Sequence, residues 1–401
     1  MTYVSPGSFY ERQTRAEYVI TRGGPVDRRR VLTATVTPLA SIFGSGFLII
    51  VPVLERSLGA WSVAGAVGVC AVAWFVGTAV RHCVRVVEPR MASGELDPFT
   101  ARLDRASDVV IVVAYVISVA LYLRIMAGYI VDYAVDDGSA SAERILASAT
   151  VGLIVAVGVT RGFPGLDLLE RAALAAVLVL TTGLGGALAL DDLGALLGDG
   201  IDLPPVPDQG VGQTLLVLGG IAITVQGFET VRYLGDEYDA ETRVWASRVA
   251  QAVAASIYIG FVAVATPLMG LGTSAGPDTT LLDIAERVAP VLALPLVVCA
   301  VLSQFSAATA DTVAADGNLR GLSRWMRGPR PYLVSGIAAI ALAATVETFP
   351  LIAIASRAFA VYYAVQAVLA MRTAEGWTRR LGYGGLAALM AAIALLAQPV
   401  E

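Results

Sequence analysis

Long apolar stretches recur along the chain at short intervals, and they constrain its fold more than any other feature. Each stretch holds about 18 or more residues, enough for a helix to cross the hydrocarbon core of a bilayer. Hydrophobic residues make up 56% of the 401 residues and charged residues only 15%, unlike a soluble domain of this length. The sequence therefore predicts an all-α integral membrane protein. We place about eleven membrane spans, at 32–56, 60–80, 106–133, 143–160, 168–190, 211–235, 244–271, 288–315, 331–347, 350–372 and 380–398.

The placement of charge between these spans predicts their orientation. Arginines are concentrated in segments 81–105, 317–330 and 372–380, whereas segments 132–137 and 191–208 are acidic. Because cytosolic loops carry the excess of basic residues, this alternation predicts a cytosolic N-terminus and an external C-terminus. We expect a multi-pass protein of the plasma membrane, with the lipid bilayer as its surroundings.

The sixth span contains polar residues at a depth where a helix should be apolar. Gln226, Gly227 and Glu229 follow an apolar run within 211–235. A carboxylate at that depth requires a partner, a proton or a water-filled cavity, and unwound backbone survives only beside protein or a cavity. This pattern predicts a discontinuous helix at a binding site. The alternative is a tolerated glycine in a buried helix, with Glu229 paired to Arg232.

The first span contains a second candidate break, at Gly44-Ser45-Gly46. An interrupted helix here would leave backbone amides free, and the following half-helix would present its positive end to an anion. The alternative is a close contact between helices through small residues. Since the two candidate breaks lie at matching positions in two sets of five spans, we predict an inverted repeat with the binding site at its interface.

The predicted organisation therefore has four parts. They are a cytosolic arm at 1–30, a first five-helix repeat at 31–190, a second five-helix repeat at 211–372, and an additional C-terminal helix at 379–401.

Three motifs resemble those of the amino acid–polyamine–organocation (APC) superfamily. Gly227-Phe228-Glu229 with the acidic run and arginine of 236–243 is similar to the sixth-span signature, Gly44-Ser45-Gly46 to the first-span glycine motif, and 314–319 to the acidic-Gly-Leu tail of span eight. The resemblance covers about 300 residues and implies the leucine-transporter fold and alternating access. The chain departs from the family in having eleven spans, in lacking lysine in span five, and in Arg320 where proline is common.

The resemblance implies a substrate site between spans one, three, six, eight and ten. A substrate carboxylate would bind the amides of Gly44–Gly46, and an amine would bind carbonyls of the span-six break, with Glu229 as a further partner or proton carrier. The candidate substrate-binding residues are Phe43, Gly44, Ser45, Gly46, Tyr122, Gln226, Gly227, Phe228 and Glu229.

Ion coupling would use the same region. A sodium ion could bind between span-eight hydroxyls and first-span carbonyls, while ordinary packing of Ser and Thr is the alternative. A proton on Glu229 is the other coupling candidate. The residues concerned are Ala40, Phe43, Ser303, Ser306, Thr309 and Glu229.

Four further charges lie within apolar spans and are candidates for gating: Arg124, Arg232, Asp311 and Arg357. Arg124 either pairs with a carboxylate or extends toward the membrane interface. Glu347 is one possible partner for Arg357. Such charges are costly in a membrane.

Catalysis is not expected. All 28 residues of the Lys-plus-Arg count are arginine, which excludes lysine Schiff bases and a P-loop lysine. Gly272–Gly276 fits a Gly-x-Ser-x-Gly pattern, but the one histidine, His82, is predicted on the opposite side of the membrane. We find no zinc cluster, dinucleotide fingerprint or nucleic-acid-binding feature, and we expect no cofactor beyond a coupling sodium ion or proton.

The leading hypothesis is an ion-coupled secondary transporter, a symporter or exchanger, of an amino acid or related amine. One alternative keeps the fold but changes the substrate to an organic cation or an inorganic ion. Another, of a different class, is a membrane sensor or assembly subunit that binds ligand without flux. The sequence leaves oligomeric state open.

Overall fold

The protein is described by a computed structural model that covers residues 27–134, 139–161, 166–198, 203–208, 210–221, 225–235, 237–271, 280–323 and 325–396. These residues form helices and connecting turns, with no strand among them. Most of the predicted N-terminal arm, the side chain of Ser45 and the Gly272–Gly276 motif lie outside the described residues.

Each predicted span has a helical counterpart in the described residues, and we number these helices α1 to α11. Their bounds are α1 Arg28–Leu58, α2 Ser62–His82, α3 Pro98–Ala134, α4 Ala140–Arg161, α5 Leu166–Leu197, α6 Val211–Gly220, α7 Ala240–Ala265, α8 Ala293–Leu322, α9 Arg330–Thr345, α10 Thr348–Thr373 and α11 Trp377–Leu396. A π-helical turn, Cys83–Val87, and a short helix, Glu88–Ala92, extend α2, and another short helix, Thr280–Val288, precedes α8.

Eight helical stretches within the described residues are long and apolar enough to cross a membrane. One of them, Leu48–Ala92, includes the end of α1 and all of α2, and α9 is a shorter apolar helix. The all-α membrane fold predicted from the sequence is thereby confirmed. The inverted five-plus-five repeat stays a prediction.

Helix α3 lies at the centre of the molecule. Every residue from Ile117 to Tyr129 is buried, so this part of the helix is surrounded by protein on all sides, as expected of a helix without a polar face. It packs against α8, α10 and α4, and α8 in turn packs against α1 and α5. The tyrosines of α3 therefore lie in the core, where α1, α8 and α10 meet it.

Helix α1 corrects one sequence prediction. It runs without interruption from Arg28 to Leu58, through Gly44–Gly46 and with Pro38 and Pro52 inside it. A Cβ atom added to Gly44 would lie 1.9 Å from Cβ of Ala307 in α8. The glycine therefore allows two helices to approach closely, which is the small-residue contact that the sequence left as the alternative.

Candidate functional site

The sixth span is interrupted where the sequence predicted. Helix α6 ends at Gly220, and a 3₁₀ segment, Phe228–Leu234, follows. Between them, Gly227 has a φ of +124°, a conformation that side chains other than glycine rarely adopt. A Cβ atom at Gly227 would also lie 2.5 Å from the backbone nitrogen of Ile42. Glycine is required at this position both for its backbone angle and for its close approach to α1.

The break places a carboxylate in the interior. Glu229 has no exposed surface, and its Oε2 accepts hydrogen bonds from the backbone N–H of Gly227 at 2.9 Å and from the Tyr363 hydroxyl at 2.8 Å. Its Oε1 is buried and accepts no hydrogen bond within the described part of the chain. Both donors are neutral, so this buried carboxylate has hydrogen-bond partners but no counter-charge among them.

Other contacts connect the break to α3 and α10. The Gln226 side-chain amide donates to the Tyr122 hydroxyl at 2.5 Å. The ring of Phe228 stacks on Tyr363, with 5.3 Å between centroids and 18° between planes. Tyr122 and Phe228 are both buried. These four residues thus line the interior around Glu229 and hold the break against two neighbouring helices.

A second buried carboxylate, that of Asp311, contacts α3 one helical turn before Tyr122. Asp311 of α8 is fully buried, and its Oδ2 accepts a hydrogen bond from the Ser118 hydroxyl. Ser118 and Tyr122 are four residues apart in a helix and so lie on the same face. Through these two residues, α3 contacts both the Asp311 carboxylate and the side-chain amide of Gln226. The site therefore contains two interior carboxylates.

The predicted sodium-binding hydroxyls also face the interior. Ser303, Ser306 and Thr309 are buried on α8. Ser303 donates to the carbonyl of Ala300 at 3.2 Å, while the hydroxyl oxygens of Ser306 and Thr309 have no hydrogen-bond partner in the described residues. Their oxygens suit a hard cation, although the first-span carbonyls expected to complete that site belong to an unbroken helix.

The first span contributes contacts rather than free amides. Ala40 and Phe43 are buried, and the Phe43 ring meets Tyr258 of α7 edge-on at 5.6 Å. The Tyr258 hydroxyl donates to the carbonyl of Ile42 at 2.7 Å. The expectation that Gly44, Ser45 and Gly46 bind a substrate carboxylate through unwound backbone is therefore wrong, because α1 continues through them.

Arg232 does not pair with Glu229. Its guanidinium contacts Glu88 at 3.2 Å and Asp104 at 3.1 Å, and Glu88 also pairs with Arg243 of α7 at 2.8 Å. All four side chains are buried. This network joins the extension of α2, the start of α3, the 3₁₀ segment and α7. Sequence reasoning missed Glu88 and Asp104 because both lie close to an arginine-rich segment, where they are expected to be solvated.

Of the two remaining predicted charges, one is buried and the other is exposed. Arg124 is buried and pairs with Glu143 of α4 at 3.5 Å, which is the carboxylate pairing that the sequence left open. Arg357 is exposed, so its prediction as a buried charge is wrong, and Glu347 pairs with Arg144 at 3.9 Å. Tyr363 was also missed, since a tyrosine in an apolar span has no pattern that separates it from core.

Comparisons with known proteins identify the family and the fold of the chain. A family model described as APC superfamily transporter matches residues 24–397. An uncharacterized protein of Aquifex aeolicus (strain VF5) is 33% identical over 358 residues, covering 86% of this chain and 84% of that protein.

Solved structures of a manganese transporter from Eremococcus coleocola share the fold. Its complex with an aromatic bis-isothiourea substituted compound matches with a TM-score of 0.57 at 11% identity, and a mutant form with a TM-score of 0.60 at 11% identity. Each comparison covers 94% of this chain and 88% of the other. Given the match of the family model over almost the whole chain, the protein belongs to the APC superfamily of transporters.

Proposed function

We propose that this protein is an ion-coupled secondary transporter of a small amine, whose ammonium group binds between Glu229 and Asp311. The observation that carries the proposal is Glu229 itself. It is a fully buried carboxylate at a helix break, and the hydrogen bonds that it accepts come from neutral donors. Burial of an uncompensated charge is costly, and a cationic substrate would supply the missing positive charge.

The surroundings suit an organic cation. The aromatic pair of Phe228 and Tyr363 lies beside the carboxylate, and aromatic faces attract alkylammonium groups once water is excluded. The hydroxyls of Tyr122 and Ser118 supply further polar contacts. A small amine could thus satisfy its charge on Glu229 and Asp311 and its apolar part on the rings.

An α-amino acid remains the second candidate, with weaker support. Its ammonium group would use the same carboxylates, but its own carboxylate needs a positive partner. The unbroken α1 removes the amides expected for that role, and Arg232 is already bonded to two carboxylates. Of the two substrates predicted from the sequence, an amino acid or a related amine, we therefore propose the amine.

A metal-ion substrate is the third candidate, because the structural neighbours named above are manganese transporters. Carboxylate and hydroxyl oxygens are suitable ligands for such an ion. Within the described residues, however, no group of three or more His, Cys, Asp or Glu side chains could hold a metal. The donor set of this chain is better matched to a single positive charge.

Coupling is proposed to use the same interior. A proton on Glu229 or Asp311, or a sodium ion at the Ser306 and Thr309 hydroxyls, would compete with or assist substrate binding and bias alternating access. We place the protein in the plasma membrane with its N-terminus in the cytosol, as the arginine distribution predicts.

The test combines binding with flux. Thermal stability of the purified protein would be measured against panels of amines, amino acids and divalent cations, with and without sodium at two pH values. Uptake of the ligands that raise the stability would then be measured in proteoliposomes. We expect amines to stabilise the wild type, and Glu229→Gln and Asp311→Asn to abolish the shift.

The matched control is Glu347→Gln, which removes an exposed carboxylate and should leave binding and uptake unchanged. Stabilisation by amino acids alone or by metal ions alone would replace the amine proposal with the corresponding alternative. Binding without uptake would support the sensor. An unchanged response in Glu229→Gln would remove that residue from the site.

A further inference from the structure

A cluster of arginines lies where the end of α2 meets the beginning of α7, away from the interior carboxylates. Arg81 of α2 is 4% exposed. It donates to the Ser247 hydroxyl at 3.3 Å, to the Gln251 side-chain carbonyl, and to the Trp74 backbone carbonyl at 3.2 Å. All three acceptors are neutral. A buried guanidinium without a carboxylate partner is costly unless some other anion compensates it.

The charged groups closest to Arg81 make its position less favourable. The guanidinium groups of Arg248 and Arg85 both repel it. Arg85 is occupied by Glu241, through bonds of 2.6 and 2.7 Å. No carboxylate forms an ion pair with Arg81 or Arg248 among the described residues.

Two tryptophans flank this pair of arginines. The Arg81 guanidinium lies 5.0 Å from the Trp74 ring, and that of Arg248 lies 5.0 Å from the Trp245 ring. Both rings are partly exposed, Trp74 by 39% and Trp245 by 43%. Tryptophans concentrate at the headgroup level of a bilayer. The exposed rings therefore place Arg81 and Arg248 beside the membrane interface that the arginine-rich segments predict to be cytosolic.

Packing between α2 and α7 fixes the position of Arg81. Gln251 donates to the carbonyl of Ala73 at 2.8 Å, which joins α7 to α2. A Cβ atom added to Gly77 would lie 2.2 Å from the Gln251 side-chain oxygen and 2.6 Å from the Arg81 guanidinium. Gly77 therefore leaves the room that Arg81 and Gln251 fill, and the two helices hold Arg81 in a fixed position.

We propose that Arg81 and Arg248 form a binding site for the phosphate headgroup of an anionic phospholipid. A phosphate between the two guanidinium groups would relieve their repulsion and accept charge-assisted hydrogen bonds from each. Basic pockets between membrane helices on the cytosolic side suit such headgroups. The acyl chains would lie along the lipid-facing side of Trp74 and Trp245. This site is separate from the proposed amine site and does not depend on it.

The test measures retained lipid. The full-length protein would be reconstituted with phosphatidylglycerol or phosphatidylcholine, and bound lipid would be counted by native mass spectrometry. We expect selective retention of phosphatidylglycerol, and about fivefold weaker retention in Arg248→Gln, corresponding to ~1 kcal/mol for one basic residue near an anionic surface. Arg330→Gln is the matched control, because Arg330 also lies beside a tryptophan, 5.1 Å from the Trp325 ring. This variant should retain phosphatidylglycerol as the wild type does.

Arg81→Gln is the second variant, and its folding would be checked by thermal unfolding before lipid is counted. Equal losses in Arg248→Gln and Arg330→Gln would overturn the proposal, because general surface attraction would then account for binding. Equal protection against unfolding by inorganic phosphate and by phosphatidylglycerol would also overturn it, by identifying a site for a free anion.

Discussion

Glu229 and Arg232 lie three residues apart in one 3₁₀ segment, and both are buried, yet their surroundings differ completely. Arg232 forms ion pairs with Glu88 and Asp104, whereas Glu229 accepts hydrogen bonds from a backbone amide and a tyrosine hydroxyl. Side chains three residues apart nearly eclipse each other in a 3₁₀ helix, so pairing between them was sterically reasonable. The fold instead supplies Arg232 with partners from two other elements.

The difference indicates that the Arg232 charge has a structural role, whereas the Glu229 carboxylate can bind a ligand. A buried ion pair is broken only at high cost, because the remaining partner keeps its charge without solvent. The network around Arg232 therefore holds α2, α3 and α7 together. Among the described residues Glu229 has no such partner, so a cation or a proton can bind there without first breaking an ion pair. The comparison predicts that substitutions at the two positions fail in different ways.

The largest effect is expected from Arg232→Met, which keeps an apolar stem but removes the guanidinium that pairs with the buried Asp104. We expect the free energy of unfolding to fall by ~3–5 kcal/mol, the usual cost of removing one member of a buried pair. Thermal and chemical unfolding in detergent would measure it. Arg320→Met is the control, since Arg320 pairs with Asp316 on the same helix and is 36% exposed, and should lose less than ~1 kcal/mol. Similar losses in both variants would contradict a structural role for the network.

The next effect is expected from Gly227→Ala, which tests the break that presents Glu229. The φ of +124° and the 2.5 Å approach to Ile42 both oppose a methyl group, at ~1–3 kcal/mol for the strained backbone alone. We expect loss of uptake together with a lower unfolding temperature. Gly212→Ala is the matched control in α6, where no atom lies within 4 Å of the added Cβ, and it should be neutral or slightly stabilising. A fully active Gly227→Ala would mean that the break does not need its observed geometry.

Gly227 and Gly44 differ in how far their roles can be predicted from the sequence. The membrane class, the spans and the break at Gly227 follow from apolar run lengths and from polar residues inside one run, which are local signals. The contact between Gly44 and Ala307 is not local, and a glycine that unwinds a helix resembles one that admits a neighbouring helix. The same limit applied to Glu88, Asp104 and Tyr363, whose partners lie far away in sequence.

Gly44→Ala tests whether Gly44 serves as a contact between two helices. The added methyl group would overlap Ala307, and overpacking of this kind costs ~1–3 kcal/mol. If the glycine serves only helix contact, the double variant Gly44→Ala with Ala307→Gly should recover most of the stability and the uptake, as a double-mutant cycle would show. Recovery of stability without uptake would instead return a binding role to this part of α1.

The smallest effect is expected where an ion pair is exposed to water, at Asp97 and Arg372, which are 3.3 Å apart. Hydrogen bonds from Thr100, and then the Arg372 guanidinium, lower the pKa of Asp97 from 3.8 to about 2. A carboxyl group whose pKa is lower in the folded state contributes stability above its unfolded pKa and loses it as the pH falls toward the folded value. The wild type should therefore lose a small part of its stability between pH 3.8 and about 2.

Asp97→Asn, which keeps a side-chain acceptor for the start of α3, should lack this part of the acid dependence. Because solvent screens an exposed pair, the difference between the two unfolding curves should be smaller than any effect at Arg232, Gly227 or Gly44. A larger difference would mean that burial is not what distinguishes the network around Arg232.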